Sequence, residues 1–188
     1  MAENKVQFNL KNVHYAVLTE SVDTQGQPVF TYATPVHVPG AVSLSLDAEG
    51  EVTPFYADGI VYYNAISNNG YTGDLEMARF PDQMLQDIWG FDLDASNVLT
   101  EMADTEPKSF ALMYQIDGDQ EENLFVLYKC SATRPGVGSS TLEETKEPVT
   151  QTCEISATPR ADMKILGKTT AAASTATRTG WFTAVYDA

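Results

Sequence analysis

Three segments of the chain alternate between apolar and polar residues, the first of them strictly, and this pattern constrains the fold more than any other feature. The segments cover residues 41–47, 70–79 and 149–158. Successive side chains of a β-strand point to opposite faces of a sheet, so a period of two predicts a half-buried strand in each segment. The sides expected to face the core carry Val42, Leu44, Leu46, Leu75, Met77, Val149, Gln151, Cys153, Ile155 and Ala157.

Further strands are predicted from composition. Residues 13–18 are rich in β-forming side chains, and residues 109–117 and 123–130 are apolar on both of their faces. The polar segment 118–122 between the last two predicts an antiparallel hairpin. Strands with two apolar faces lie in the middle of a sheet, so this hairpin is expected to be central.

One segment has helical rather than strand spacing. It follows Pro81, and Gly90 is expected to end it. The apolar residues between these two positions recur at the spacing of one helix face, which predicts a short helix of two to three turns (roughly, from 3.6 residues per turn). These residues are Met84, Leu85, Ile88 and Trp89.

Three segments are interpreted as connections or projections. Residues 134–148 combine turn residues with charge, which predicts a loop, and residues 168–177 have little hydrophobic bulk, which predicts a linker to the aromatic residues 181–186. Residues 47–73 contain turn residues around two β-prone, aromatic stretches and predict a hairpin that is long for a simple connection. A terminal aromatic patch is expected to dock on another surface.

The length and charge of the chain limit the remaining possibilities. The 188 residues are enough for one domain with a sizeable core. A formal net charge of -15 disfavours a conventional reader of DNA or RNA, because phosphates are repelled. No leader pattern or membrane-length apolar stretch is found, so we expect synthesis and folding in a cytoplasm and no membrane partner. Cys130 and Cys153 are interpreted as buried thiols.

No sequence motif predicts catalysis. The chain has no GxSxG, HExxH, P-loop or GxGxxG pattern. His14 and His37 are isolated in predicted strands and are interpreted as structural. Residues 117–122 resemble a calcium loop only in composition, and the many carboxylates pair only by chance. We therefore expect no catalytic residue, no metal, no cofactor and no enzyme activity.

Seven segments, taken in order, resemble the major tail proteins of long-tailed bacteriophages and prophages of Gram-positive bacteria. The resemblance covers nearly the whole chain, and the order of the segments makes it more specific than any one of them. The segments are NKVQFNLKNVHYA (4–16), PGAVSLSLD (39–47), TPFYAD (53–58), NGYTGD (69–74), PKSFAL (107–112), YKCSATRP (128–135) and GWFTAVY (180–186).

The resemblance implies a tail tube protein. Its fold would be mainly β, a β-sandwich or partial barrel with one short flanking α-helix and a long hairpin arm over residues 47–73, and its strands would complete an inter-subunit β-barrel tube. Residues 1–188 would form one tail tube domain with an extended C-terminal segment over residues 160–188. Some relatives carry an appended immunoglobulin-like domain, which this chain lacks, so no surface decoration is expected.

The family role implies specific partners. Copies of the chain would form hexameric rings that stack into the conduit for genome ejection, joined to tail terminator, tape measure and baseplate or distal tail proteins. Double-stranded DNA would pass through transiently without specific binding. The protein would be assembled in the host cytoplasm and would reside in the virion tail.

Two sets of residues become candidates for this role. The polar sides of the alternating strands nominate a lumen lining of Ser43, Ser45, Asp47, Thr72, Asp74, Glu76, Thr152 and Glu154, although the same side chains also suit a solvated outer face. The candidate inter-subunit contacts are Phe55, Tyr56, Tyr62, Tyr63, Trp181, Phe182 and Tyr186, which would otherwise fold back onto their own core.

Two other function classes compete with a tube subunit. A β-sandwich carbohydrate-binding module would stay monomeric or dimeric and keep its aromatic side chains exposed. A hydrolase with scattered carboxylates would hold a carboxylate pair at a fixed separation in a cleft.

Overall fold

The computed structural model describes residues 4–139, 141 and 148–187. Within these ranges the chain is mainly β, with two helices, which confirms the predicted class. The elements are β1 Gln7–Val22, β2 Pro28–Tyr32, β3 Val36–His37, β4 Ala41–Glu49, β5 Val52–Ala57, β6 Ile60–Ile66, β7 Gly70–Met77, α1 Asp82–Trp89, β8 Asp92–Leu93, β9 Leu99–Thr100, β10 Phe110–Gly118, β11 Asn123–Ala132, β12 Gln151–Ala157, β13 Leu166–Lys168 and α2 Thr175–Gly180.

Nine strands form one antiparallel sheet. Its main path runs in the order β2, β1, β10, β11, β12, β7, β4, with β3 paired to β1 and β13 paired to β11. Strands β5 and β6 form a separate two-stranded ribbon, as do β8 and β9. The sheet is curled. Strands β1 and β4 contact each other although four other strands separate them along the main path of the sheet.

The alternating segments form half-buried strands as predicted. Leu75, Met77, Cys153 and Ile155 are at most 1% exposed and face the core. Val42 does not, because the ladder between β4 and β7 shifts register between Ala41 and Ser43, which leaves Val42 49% exposed and places Ala41 against the core. Val149 was also expected to face the core, but it precedes the first residue of β12 and is exposed.

The predicted helix is present between the expected residues. Met84, Ile88 and Trp89 are buried, and Gly90 ends the helix in the left-handed conformation with a φ of 67°. The Trp89 indole N–H donates to the carbonyl oxygens of Ala132 and Thr133, at 3.1 Å each. The helix therefore closes the core that the curled sheet encloses.

Both faces of the central hairpin are covered, as its composition predicts. On the concave face, Phe110, Leu112 and Leu127 join the main core with α1. On the convex face, Met113 and Val126 belong to a second buried cluster that the C-terminal segment covers. Strands β10 and β11 are therefore apolar on both sides.

The C-terminal segment contains more structure than the predicted linker. The interpretation of residues 168–177 as a linker is wrong in part, because β13 ends at Lys168 and α2 begins at Thr175. The Ser174 hydroxyl caps α2 by accepting from the backbone N–H of Thr177 at 3.1 Å. This helix buries no residue of its own, so it leaves no apolar periodicity in the sequence.

The predicted loop over residues 134–148 includes residues 140 and 142–147, which lie outside the described residues, and residues 134–139 have no regular secondary structure. No helix within the described ranges is both long and apolar enough to span a membrane.

Candidate self-association surfaces

The eight side chains predicted to line a lumen lie together on one face of the sheet. They come from three neighbouring strands, β4, β7 and β12, and residues that pair across an antiparallel ladder share a face. The pairing forms cross-strand rows of Ser43, Glu76 and Thr152, then Ser45, Asp74 and Glu154, then Asp47, Thr72 and Ser156. We call this surface the polar face.

The polar face is acidic, and no described lysine or arginine pairs with its carboxylates. None of the ion pairs formed by the described residues involves Asp47, Asp74, Glu76 or Glu154. Asp74 and Glu154 are direct cross-strand neighbours, an arrangement that costs the isolated sheet a few tenths of a kcal/mol (about 0.2–1). The polar face therefore carries a net negative charge.

Hydrogen bonds keep one of these carboxylates ionised. Glu76 accepts from the hydroxyl of Thr150 at 2.6 Å and from that of Ser43 at 2.9 Å. These bonds, that of Thr150 first, lower the pKa of Glu76 below its usual value. In the part of the chain that the structure describes, no three His, Cys, Asp or Glu side chains are grouped to hold a metal ion.

The hairpin arm predicted over residues 47–73 is shorter in the structure and covers residues 50–69, because β4 extends to Glu49 and β7 begins at Gly70. It continues the ladder between these two strands. The backbone N–H of Asn69 donates to the oxygen of Glu49 at 2.8 Å, and that of Ser67 donates to the oxygen of Glu51 at 3.0 Å. Strands β5 and β6 extend this pairing to a tip at Asp58 and Gly59, which have φ values of 53° and 80°. Positive φ at both central residues is the geometry of a tight hairpin turn, so the arm has a defined shape.

Aromatic residues of the arm are exposed on both of its faces. Phe55, Tyr56, Tyr62 and Tyr63 are between 61% and 70% exposed, and every residue of β6 is exposed. The alternative that these rings fold back onto their own core is therefore wrong. Exposed apolar residues grouped in this way are typical of interaction sites.

The C-terminal aromatic residues are placed differently from the prediction. Trp181 is 3% exposed, packs in the second cluster and donates its indole N–H to the oxygen of Phe125 at 3.3 Å. It therefore has almost no surface to offer a neighbour, and its assignment as an inter-subunit contact is wrong in this conformation. Phe182 is partly buried and stacks on His14, with ring centroids 4.5 Å apart, whereas Tyr186 remains 45% exposed.

His14 and His37 are not isolated, because β1 and β3 pair them directly. Their ring centroids are 4.9 Å apart, and His14 Nδ1 lies 2.8 Å from the oxygen of Asn12. Burial, with a smaller effect of the neighbouring His37, lowers the pKa of His14. The pairing was missed because β3 is only two residues long.

A buried arginine, which the sequence did not indicate, fastens the C-terminal segment. Arg160 is 2% exposed and forms two hydrogen bonds to each of two carboxylates, those of Asp162 and Asp187. Its guanidinium also donates to the Tyr32 hydroxyl at 2.9 Å and lies 4.1 Å from the ring centroid of Phe30. These hydrogen bonds lower the pKa of Asp162 to about 2 and lower that of Asp187.

The chain also has an open surface depression and two buried cysteine thiols. One concavity, of about 930 Å³, is an open depression beside β11 and β12, where Arg134 forms an ion pair with Glu101. The two buried thiols, Cys130 and Cys153, have pKa values raised to about 12 by burial. A thiol that stays protonated at neutral pH is a poor nucleophile.

The sequence was compared with known protein families and with curated proteins. No known protein family matches the chain, and no curated protein is significantly similar to it. Function is therefore inferred from the geometry of this chain together with the tail-protein resemblance of its sequence.

Proposed function

We propose that this chain is a structural subunit of a phage tail tube, in which hexameric rings stack to form an acidic-lined conduit for genome ejection. One observation supports this most strongly. The eight polar residues selected from three separate segments lie on one continuous face of adjacent strands, and the acidic residues among them form no ion pair with any residue in the described ranges.

The ends of the sheet supply a route to ring closure. Strands β2 and β4 end the main path of the sheet, so each offers one edge for pairing with another chain. Strand β4 also carries Ser43, Ser45 and Asp47 of the polar face. Edge-to-edge pairing at β4 would continue that face into the next subunit, and closure into a barrel would remove all free edges.

An acidic bore suits passage of DNA without binding. Phosphates are repelled by Asp47, Asp74, Glu76 and Glu154, so the duplex gains no counterion-release energy from the wall. A lining of small hydroxyl and carboxylate side chains also offers no apolar surface on which bases could stack. Transit would then depend on lack of affinity.

The arm supplies the area that association needs. Burying the exposed parts of its four aromatic side chains would remove on the order of 500 Å² of surface from water. This burial would contribute roughly 12 kcal/mol of favourable free energy, from which the cost of association is subtracted. The proposed partners are other copies of the chain, in the same hexameric ring and in the next one. Tail terminator, tape measure and baseplate or distal tail proteins would bind at the tube ends. The site of action would be the virion tail, after assembly in the host cytoplasm.

Replacement of the arm tyrosines tests this function. The double variant Tyr62→Ala, Tyr63→Ala is expected to remain a folded monomer and to lose concentration-dependent rings and tubes in negative-stain microscopy and sedimentation velocity. Val137→Ala with Met163→Ala is the matched control, because these side chains are 99% and 76% exposed outside the arm. Normal tubes from the tyrosine variant, or a wild-type chain that stays monomeric when concentrated, would refute the proposal.

The exposed rings also favour a second candidate, a β-sandwich carbohydrate-binding module. Sugar rings stack on exposed aromatic side chains, and Tyr62 and Tyr63 are 70% and 64% exposed. In that case the chain would bind glycans as a monomer or dimer. A glycan array probed with the wild type and the tyrosine double variant separates the two functions.

A further inference from the structure

A second cavity lies on a different part of the molecule from the polar face. It has a volume of about 330 Å³ and is lined in part by Gln7, Asn123, Lys168, Thr169 and Thr170. Beside it, the Asn4 side chain fixes the turn between β10 and β11, since its oxygen accepts from the backbone N–H groups of Gln120 and Glu121 at 2.9 and 2.8 Å. The rim of the cavity is thus held in place by hydrogen bonds.

This cavity contains donors that lack acceptors. Asn123 is 9% exposed, and its amide nitrogen has no hydrogen-bond partner among the described residues. Buried polar groups without partners are rare in folded proteins, and each calls for an explanation. The neighbouring Thr169 oxygen already accepts from the backbone N–H of Leu124 at 3.0 Å, which leaves the hydroxyl proton to donate to another acceptor.

The cavity also carries a lysine that forms no ion pair with a described residue, in a strongly acidic chain. Of the lysines and arginines that the structure describes, all form ion pairs except Lys5, Lys108 and Lys168. Lys168 lines the cavity, and its Nζ lies 5.4 Å from the ring centroid of Phe125. Glu121 also lines the cavity, but its carboxylate is already paired with Arg178 at 2.7 Å. An ammonium group beside amide and hydroxyl donors is the chemistry that recognises a carboxylate.

We propose that this cavity receives the carboxylate of Asp58 from the arm of a second copy of this chain. The inference rests on the proposed function and names a contact within it. Asp58 is the only charged residue between Val52 and Ile66, and it lies at the tip of the arm. It forms no hydrogen bond or ion pair with any residue that the structure describes.

The geometry of the arm suits insertion into a cavity of this size. The strand from Val52 to the tip extends about 20 Å beyond the ladder of β4 and β7, at roughly 3.3 Å per residue. The tight turn at Asp58 and Gly59 presents one carboxylate at the end of a narrow ribbon.

Charge reversal tests the contact in the full chain. Asp58→Lys and Lys168→Glu are each expected to raise the protein concentration required for tube formation about tenfold, and the two together to restore it to near the wild-type value. Glu106→Lys and Lys108→Glu are the matched controls, because both side chains are exposed and lie outside the cavity. Lys168→Gln provides a milder variant if the reversed charge impairs folding.

An interchain disulfide provides the decisive measurement. Chains carrying Asp58→Cys, mixed with chains carrying Lys168→Cys and oxidised, are expected to form a covalent dimer, whereas Lys108→Cys chains are not. The native thiols of Cys130 and Cys153 are at most 1% exposed and do not compete. Tubes without the crosslink overturn this inference alone, and a wild-type chain that remains monomeric at every concentration overturns the proposed function and this contact together.

Discussion

Replacement of Arg160 by methionine tests whether one buried guanidinium fastens the C-terminal segment to the sheet. Arg160 joins Asp162 and Asp187 to the aromatic side chains Phe30 and Tyr32. Methionine keeps much of the aliphatic volume but removes the charge and five hydrogen bonds. Asp187 lies beyond Trp181, so loss of this anchor also weakens the cover of the second cluster.

The expected loss of stability follows from the exposure of the partners. Removal of one member of a buried ion pair costs roughly 3–5 kcal/mol. The side chains of Asp162 and Asp187 are 32% and 27% exposed, so water can rehydrate the freed carboxylates and the cost lies near the lower end. Loss of the contact with the Phe30 ring adds about 1 kcal/mol. We expect about 3–4 kcal/mol in total, or a fall in Tm of roughly 10 °C.

Urea denaturation and calorimetry measure this difference directly. Arg134→Met is the matched control, because it removes the same side chain from an ion pair with Glu101 in which the partners are 61% and 40% exposed. Exposed pairs contribute about 1 kcal/mol or less. Equal destabilisation by the two substitutions, or a loss below about 1 kcal/mol for Arg160→Met, would refute the assigned role.

Two further predictions concern acid and backbone packing. Because the pKa of Asp162 is lowered from 3.8 to about 2, and that of Asp187 is also lowered, the folded chain binds fewer protons than the unfolded chain in this range; the stabilisation is complete above pH 3.8 and is lost as the pH falls toward 2. Urea denaturation at several pH values in that range should show that the free energy of unfolding depends less on pH in Arg160→Met than in the wild type. Equal pH dependence in the two proteins would contradict the assignment. Gly73→Ala should destabilise by about 2–4 kcal/mol, since its Cβ would lie 1.8 Å from the backbone oxygen of Ser45, whereas Gly136→Ala, with open space around it, should change stability by less than about 0.5 kcal/mol. Similar thermal midpoints for the two alanine variants would argue against this close approach of β4 and β7.

The features that the sequence predicts well are those encoded by local periodicity. Burial of Leu75, Met77, Cys153 and Ile155 follows from alternation, because a sheet with one covered face requires apolar residues at every second position. The bounds of α1 follow from Pro81 and Gly90, which act on the backbone locally. The polar face follows from the same alternation once β4, β7 and β12 are neighbours, although the sequence did not indicate that they pair.

The features that the sequence does not predict depend on contacts between distant segments. Arg160 is buried because Tyr32, Asp187 and Asp162 meet around it, and no local pattern distinguishes it from a surface arginine. Trp181 is buried because the convex face of β10 and β11 needs a cover, whereas an aromatic terminal segment suits a neighbouring subunit equally well. The register shift that exposes Val42 likewise arises from pairing with β7.

The position of β1 in the sheet has a consequence for the order in which the chain folds. Its partner on one side is β10, so that Gln7 pairs with Gly118 and Val17 with Phe110. During synthesis, β1 therefore leaves the ribosome long before β10, the strand that it pairs with. Until β10 follows, the apolar residues of β1 remain exposed to solvent. Closing so long a loop is slow compared with forming the hairpin of β10 and β11. That hairpin is expected to form first and to act as the template on which the N-terminal strand is captured.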